Sequence, residues 1–343
     1  MIVSCDETPD VVALVPTMGR DVARLERCLE SLRAQRTDKR LAVVCVVNSP
    51  QSGLSVVGDF PEVRFVSSGM NLGWAGGLIF GHGLVEAPLY WFVQDDNEFE
   101  PDCLEHLVQR LTADSRLGLV SPVAVDADGR CPARSLGGVL APDGTMAYWL
   151  PGEATAEVTE SLAGHDLSYV ASRGSLVRAS AWDAVGGPDA NYYPVLWTDV
   201  DFCRALAERG IGFAVEPAAR LAPNLSASYS RPYAAFLSAR NSAYFRKKWF
   251  SRDVTAEDSN LETVPVPDDL VRAIAAVSAS TLTDLAGAYA AARDDETQAA
   301  QRIAQLLELL DEARNREALM AASVSWRLTR PLRWVRRAFS RQR

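Results

Sequence analysis

The chain is expected to form an α/β fold around a mixed, mainly parallel sheet flanked by helices. Short, wholly apolar runs recur through its first third, each closes in a polar loop, and helical periodicity follows several of those loops. Runs apolar at every position, not at alternate ones, suit strands buried on both faces. Residues 11–15 form the first and stop at Pro16-Thr17. A helix follows, with Leu25, Cys28, Leu29 and Leu32 on one face and Arg24, Arg27, Glu30 and Arg33 on the other. Residues 41–47 and 63–66 read as the next strands, the former ending at Asn48. Asn71-Leu72-Gly73-Trp74-Ala75-Gly76-Gly77 is a glycine-rich turn entering a helix. Residues 89–93 are the fourth strand, ending in Gln94-Asp95-Asp96-Asn97, and Pro101 opens a helix carrying Leu104, Leu107, Val108 and Leu111.

In an open parallel sheet, ligands gather beyond the carboxyl ends of the strands. The loops at Thr17, Asn48, the glycine-rich turn and Asp95–Asp96 therefore read together as a nucleotide pocket beside a metal site. Glycines let backbone N–H groups approach a phosphate, and paired carboxylates offer hard oxygens to a divalent cation. A purely local account also exists for each: Asp95, Asp96 and Asn97 as turn and capping residues, the glycines as helix-packing positions.

Residues 119–164 are rich in Pro and Gly and predict short strands and mobile loops. Structure resumes over 169–178, followed by a short helix over 180–185. Thr198 and Asp201 fit a capping box for a helix running to Gly210, with Phe202 and Leu206 facing the core. That leaves Asp199, pointing roughly 200° from Asp201, free to face a cleft. Residues 211–215 predict a strand, 220–230 a loop and 233–250 a helix ending in a basic-aromatic cluster.

The domain reading is 1–250 as one domain (a nucleotide-binding half over about 11–120, an acceptor-binding half over 121–250), 251–267 as an acidic, Pro-containing linker, and 268–343 as a helical C-terminal region. Ile303, Leu306, Leu310, Ala313, Glu317, Met320 and Val324 recur alternately three and four apart, a short coiled-coil-like seam that suits either a homodimer or packing back on the body. Residues 323–343 carry seven Arg and no acid, interleaved with Trp and Leu, which suits an anionic membrane surface or a basic tail.

Net charge is −9 although the tail is basic, so the body is strongly acidic and nucleic acid is excluded as its partner. Six scattered Cys without a Cys-x-x-Cys or Cys/His cluster argue against zinc and for buried thiols in a reducing compartment. The N-terminus is polar and acidic, and the Ala-rich run over 273–292 contains Asp284 and is a poor membrane span. The expectation is a cytoplasmic protein, peripheral on the inner face of the membrane if the tail binds there.

On these motifs, residues 11–250 resemble the family-2 glycosyltransferases of GT-A fold, and are similar to bacterial rhamnosyl- and galactofuranosyltransferases of cell-surface polysaccharide synthesis. The motifs are Pro16-Thr17 with Arg20, Asn48, the Asn71–Gly77 turn, Gln94-Asp95-Asp96 with Pro101, Thr198-Asp199-Val200-Asp201 with Arg204, Arg240-Asn241, and the tail from Ser323 to Arg333. The resemblance implies inverting transfer of a sugar from a nucleoside-diphosphate donor to a saccharide or polyprenyl-linked acceptor. It implies Asp199 as catalytic base and Asp96 as ligand to Mn2+ or Mg2+. Donor contacts fall on Pro16, Thr17, Arg20, Asn48, Asn71, Gly73, Gly76, Gln94, Asp95 and Arg240, and acceptor contacts on Trp197 and Thr198. Three positions depart from the family pattern. Gln94 replaces the first acid of the metal motif, Thr198 replaces the first acid of the base motif, and the His that often precedes Arg-Asn is missing.

Three rival readings share parts of this pattern: a membrane-associated assembly protein that binds sugar nucleotides without catalysis, a nucleotidyltransferase and a dinucleotide oxidoreductase. The second lacks a Gly-rich/Lys signature near the first strand. The third requires a glycine-rich turn where Pro16-Thr17 stands.

Overall fold

The computed structural model describes residues 2–5, 7–49, 55–126, 128–131, 136–148, 167–222 and 231–250. The chain divides into two units, Met1–Asp253 and Val254–Arg343. All described residues lie in the first; the expected linker, C-terminal helices, seam and basic-aromatic tail lie outside the described residues.

An eight-stranded sheet organises the first unit. Its strands are β1 (Val11–Thr17), β2 (Leu41–Val47), β3 (Arg64–Ser67), β4 (Leu89–Phe92), β5 (Glu98–Phe99), β6 (Leu117–Ala124), β10 (Leu176–Arg178) and β11 (Gly212–Ala222), in the order β3-β2-β1-β4-β10-β6-β11-β5. A small antiparallel sheet holds β7 (Gly137–Leu140), β8 (Met146–Tyr148) and β9 (Tyr169–Val170). The helices are α1 (Val22–Arg33), α2 (Gly73–His82), α3 (Cys103–Ala113), α4 (Ala179–Val185), α5 (Thr198–Glu208) and α6 (Arg231–Phe250).

Covering both sheet faces explains the uninterrupted apolar runs. Val11, Ala13 and Val15 of β1 pack with α1 and α3, while Val12 and Leu14 pack with α2, α4 and α5. Strand β2 divides the same way, Val43 and Cys45 to one layer, Val44 and Val46 to the other. Strands β1, β2, β3 and β4 are mutually parallel, so their polar ends share one edge. Strand β10 enters between β4 and β6 antiparallel to both. Its start, and residues 172–175 before it, therefore fall at that same edge. There Phe92 N donates to Ser175 O (2.8 Å) and Trp91 Nε1 to Gly174 O (2.7 Å). Gly174 has φ +77° and a Cβ on it would meet the Phe99 ring at 2.5 Å, so only glycine suits this bend.

The second half of the sheet departs from expectation. Residues 117–124, read partly as loop, are a fully buried strand paired on both sides, with Pro122 inside it. Proline removes a ladder donor and is tolerated at irregularities. Here the β6–β11 register slips between Glu216 and Arg220, with Glu216 opposite Pro122. The same irregularity lets β11 continue to Ala222, past the expected end at residue 215. Five of the six Cys are buried and all are free, as expected.

Candidate active site

At the common strand edge the expected nucleotide-side residues come together, and most are tied to the protein itself. Thr17 is 3% exposed, and its hydroxyl donates to Asp95 Oδ2 (2.5 Å) while accepting from Gly19 N (2.9 Å). Arg24 lies 3.6 Å from the other oxygen of Asp95. Asn48, 4% exposed, donates from Nδ2 to Gly73 O (2.9 Å) and accepts at Oδ1 from Leu72 N (3.3 Å). Asn71 Oδ1 accepts from Gly73 N (2.8 Å). These asparagines shape the glycine-rich turn, fastening it to the end of β2. Gly73 (φ +70°) leaves no room for a Cβ, which would lie 2.8 Å from Pro194 O, and Trp74 N donates to that oxygen (2.7 Å). A Cβ on Gly77 would meet Pro16 at 2.7 Å, so the turn's last glycine seats α2 on the end of β1. A Cβ on Gly76 would meet only the Leu72 Cβ, at 3.1 Å, and Arg20 stands exposed after β1. The Gln94 backbone carbonyl accepts from Asn97 N (3.0 Å).

Asp96 differs from its neighbour. Its Oδ1 is buried and accepts no hydrogen bond from the protein. Burial pushes its pKa up, with Asp95 adding to the rise, and the Arg173 guanidinium opposes the shift. Asp95 is raised by burial against the Thr17 hydroxyl and Arg24. One orphaned carboxylate fits a cation bound mostly through a diphosphate and water. A protein-built cage is a different matter: among the described residues no group of three or more His, Cys, Asp or Glu assembles for a metal.

Asp199 stands in the first turn of α5. Its Oδ1 accepts from Val200 N (3.0 Å) and its Oδ2 from Ser172 N (3.4 Å). Burial raises its pKa, and these backbone N–H groups and Arg173 oppose the rise. It lines a small crevice with Trp74, Phe92, Ser172 and Ser175, so β4, the glycine-rich turn, the 172–175 bend and α5 meet there. Arg173 favours the ionised form of both Asp96 and Asp199, about a hundred positions apart in the chain. Nothing in its local sequence marks Arg173, because its place follows from β10 running antiparallel.

One local expectation is corrected. Thr198 and Asp201 form no capping box. The N-cap is Trp197, in the left-handed region at φ +70°, and the Thr198 hydroxyl is buried without a partner. Asp201, 2% exposed, accepts instead from Tyr192 Oη (2.9 Å), Trp249 Nε1 (2.7 Å) and Lys248 Nζ (2.8 Å). Its job is structural, as expected, but it reaches to α6. Of the expected acceptor residues, Trp197 is 7% exposed, with its indole N–H on Ser238 Oγ (3.2 Å), and Thr198 is 4% exposed. Arg240, expected at the donor, donates to the carbonyls of Asn191 and Tyr193 (3.1 Å each) and to Asn241 Oδ1 (2.8 Å).

Residues 12–137 match glycosyl transferase family 2. The family-2 match spans every residue from Pro16 to Asp96 expected on the nucleotide side, and Asp199, Trp197, Thr198 and Arg240 lie beyond it. No curated protein matches the chain. Among solved structures, the mannosyltransferase PcManGT from Pyrobaculum calidifontis in complex with GDP-Man and Mn2+ has a TM-score of 0.46 at 17% identity, covering 69% of this chain and 62% of that one. GalNAc-T7 with UDP, GalNAc and Mn2+ has a TM-score of 0.55 at 11% identity, covering 72% of this chain and 49% of its own. This chain thus spans less than two thirds of either neighbour. At such identity the second likeness speaks for the fold alone, the expected GT-A arrangement. No helix among the described residues is long and apolar enough to cross a membrane.

Proposed function

We propose that this protein is an inverting glycosyltransferase of family 2. It moves a sugar from a nucleoside-diphosphate donor, of the dTDP-rhamnose or UDP-galactofuranose kind, to a saccharide or lipid-linked saccharide of a cell-surface polysaccharide. The observation that carries the reading is the shared bend at 172–175: Ser172 holds Asp199, and Arg173 acts on both Asp199 and Asp96.

Asp199 takes the proton from the acceptor hydroxyl as its oxygen attacks the anomeric carbon, and the bond to the diphosphate breaks on the opposite face. A carboxylate whose pKa burial has raised is a stronger base than a solvated one. Arg173 balances charge as the diphosphate departs. The GalNAc-T7 structure carries Mn2+ together with UDP. In this chain Asp96 would hold the cation, which supplies Lewis-acid charge to the leaving group. Asp95, engaged by Thr17 and Arg24, orients the loop beside the ribose.

A screen of UDP-, dTDP- and GDP-sugars by thermal shift tests the reading. A donor at 100 times its Kd adds about 2.7 kcal/mol to the folded state, roughly 5–10 °C in Tm for a domain of this size. Transfer, or slow donor hydrolysis, by the same donor separates an enzyme from a binder without catalysis. Asp96→Ala is expected to abolish the extra shift that Mn2+ gives to a bound donor, leaving the smaller metal-free shift. An unchanged Mn2+ increment would move the cation elsewhere.

A further inference from the structure

The turn delivering Asp199 adopts a backbone that its own residues disfavour. Leu196 (φ +76°) and Trp197 (φ +70°) are consecutive left-handed residues with large side chains. Such a conformation persists only where its surroundings over-determine it. Here they do so from two sides. From the nucleotide side, Trp74 N donates to Pro194 O (2.7 Å). From α6, Asn241 is fully buried, and its Nδ2 donates to Val195 O (3.0 Å) and Leu196 O (2.9 Å). Its Oδ1 accepts from Arg240, which also donates to the carbonyls of Asn191 and Tyr193. The amide orientation is unambiguous, since carbonyls only accept and a guanidinium only donates. Every polar atom of the Asn241 side chain is committed to this turn or to the arginine that also grips it.

We propose that Asn241 is a positioning residue: it holds the left-handed Leu196–Trp197 pair so that α5 begins at Thr198 with the Asp199 carboxylate set against residues 172–173. Arg240 serves the same turn and not the donor diphosphate. The consequence for catalysis rests on Asp199 being the base; the placing of the turn does not.

Asn241→Leu removes all of these bonds at similar volume, and Asn241→Ser, a milder change, keeps one hydroxyl donor. Arg178→Lys is the stability control. Arg178 bonds Leu117 O and Leu111 O at the opposite end of β10, so its loss destabilises the fold away from the site. A misplaced catalytic group costs up to about a hundredfold. The expected result is a kcat loss of about tenfold to a hundredfold in Asn241→Leu, a smaller one in Asn241→Ser, and little change in donor KM. Hydrogen exchange over residues 195–200 speeds up in both variants but not in Arg178→Lys. Asn241 variants with wild-type kcat, or an Arg178→Lys variant that loses rate equally, overturn the proposal. If the wild-type protein turns over no donor, the transferase reading fails by itself, and exchange still decides the placing: unchanged protection over 195–200 refutes it.

Discussion

Asp199→Asn is expected to lower turnover by about two to four orders of magnitude while leaving donor affinity little changed, since no donor contact is assigned to that side chain. The substitution keeps the shape of the carboxylate and its acceptance of one backbone N–H, so loss of folding does not explain the loss of rate. It also makes a prediction about stability. Burial raises the Asp199 pKa above the ordinary 3.8, so the folded state holds this proton more tightly than the unfolded chain does. Stability from this group is therefore complete at low pH and is lost as pH rises through the raised value. At neutral pH the protein bears the cost of a desolvated charge, and the Asn variant does not. The Tm of the variant minus that of the wild type should become more positive from pH 4 to pH 7. Catalytic groups are often held at such a cost, activity being exchanged for stability. Full turnover in the variant removes the assignment of the base; a Tm difference that ignores pH removes the electrostatic account.

How much of this was legible in the sequence follows from the range of each interaction. Strands β1, β2 and β4 are readable because burial on both faces leaves an apolar residue at every position, and the loops they end in inherit their place from parallel pairing. Strand β6 is not, because Pro122 interrupts the pattern and is accommodated only by a slip in a partner strand about ninety positions away. Strand β10 has three residues, too few for any period, yet its antiparallel insertion brings Arg173 to the site. Asn48 and Asn71 stand out in the sequence as candidate site residues, and in the structure their amides serve the glycine-rich turn. Asp201 illustrates the same limit. Its spacing from Thr198 has a local explanation, whereas two of its three actual partners lie 47 and 48 residues further on.

Asp201→Ala should be the most destabilising single change at the site that leaves Asp199 itself intact. The carboxylate takes three hydrogen bonds in the interior, and two of their donors, Tyr192 Oη and Trp249 Nε1, have no other acceptor among the described contacts. Removing one member of a buried charged network costs about 3–5 kcal/mol. Lys248 moderates this, since its side chain is 30% exposed and it keeps Asp189 at 2.8 Å. The lower end, about 3 kcal/mol, is therefore expected, or roughly 6–12 °C in Tm for a domain of this size. Asp189→Ala removes a partner of the same lysine and the acceptor for exposed Asn191 and half-buried Tyr244, but Asp189 is less buried than Asp201, and Lys248 keeps Asp201, so a smaller loss should follow. That order is decisive: equal losses would mean that the deeper burial of Asp201 adds nothing to its worth. Chemical denaturation of both variants measures it, and turnover at a temperature where both are folded reports a second quantity. Helix α5 carries Asp199 at its start and is fastened through Asp201 to the helix that carries Asn241. Loosening that fastening should therefore cost rate in the folded enzyme, and a stability loss without any rate loss would show that the first turn of α5 holds its own position.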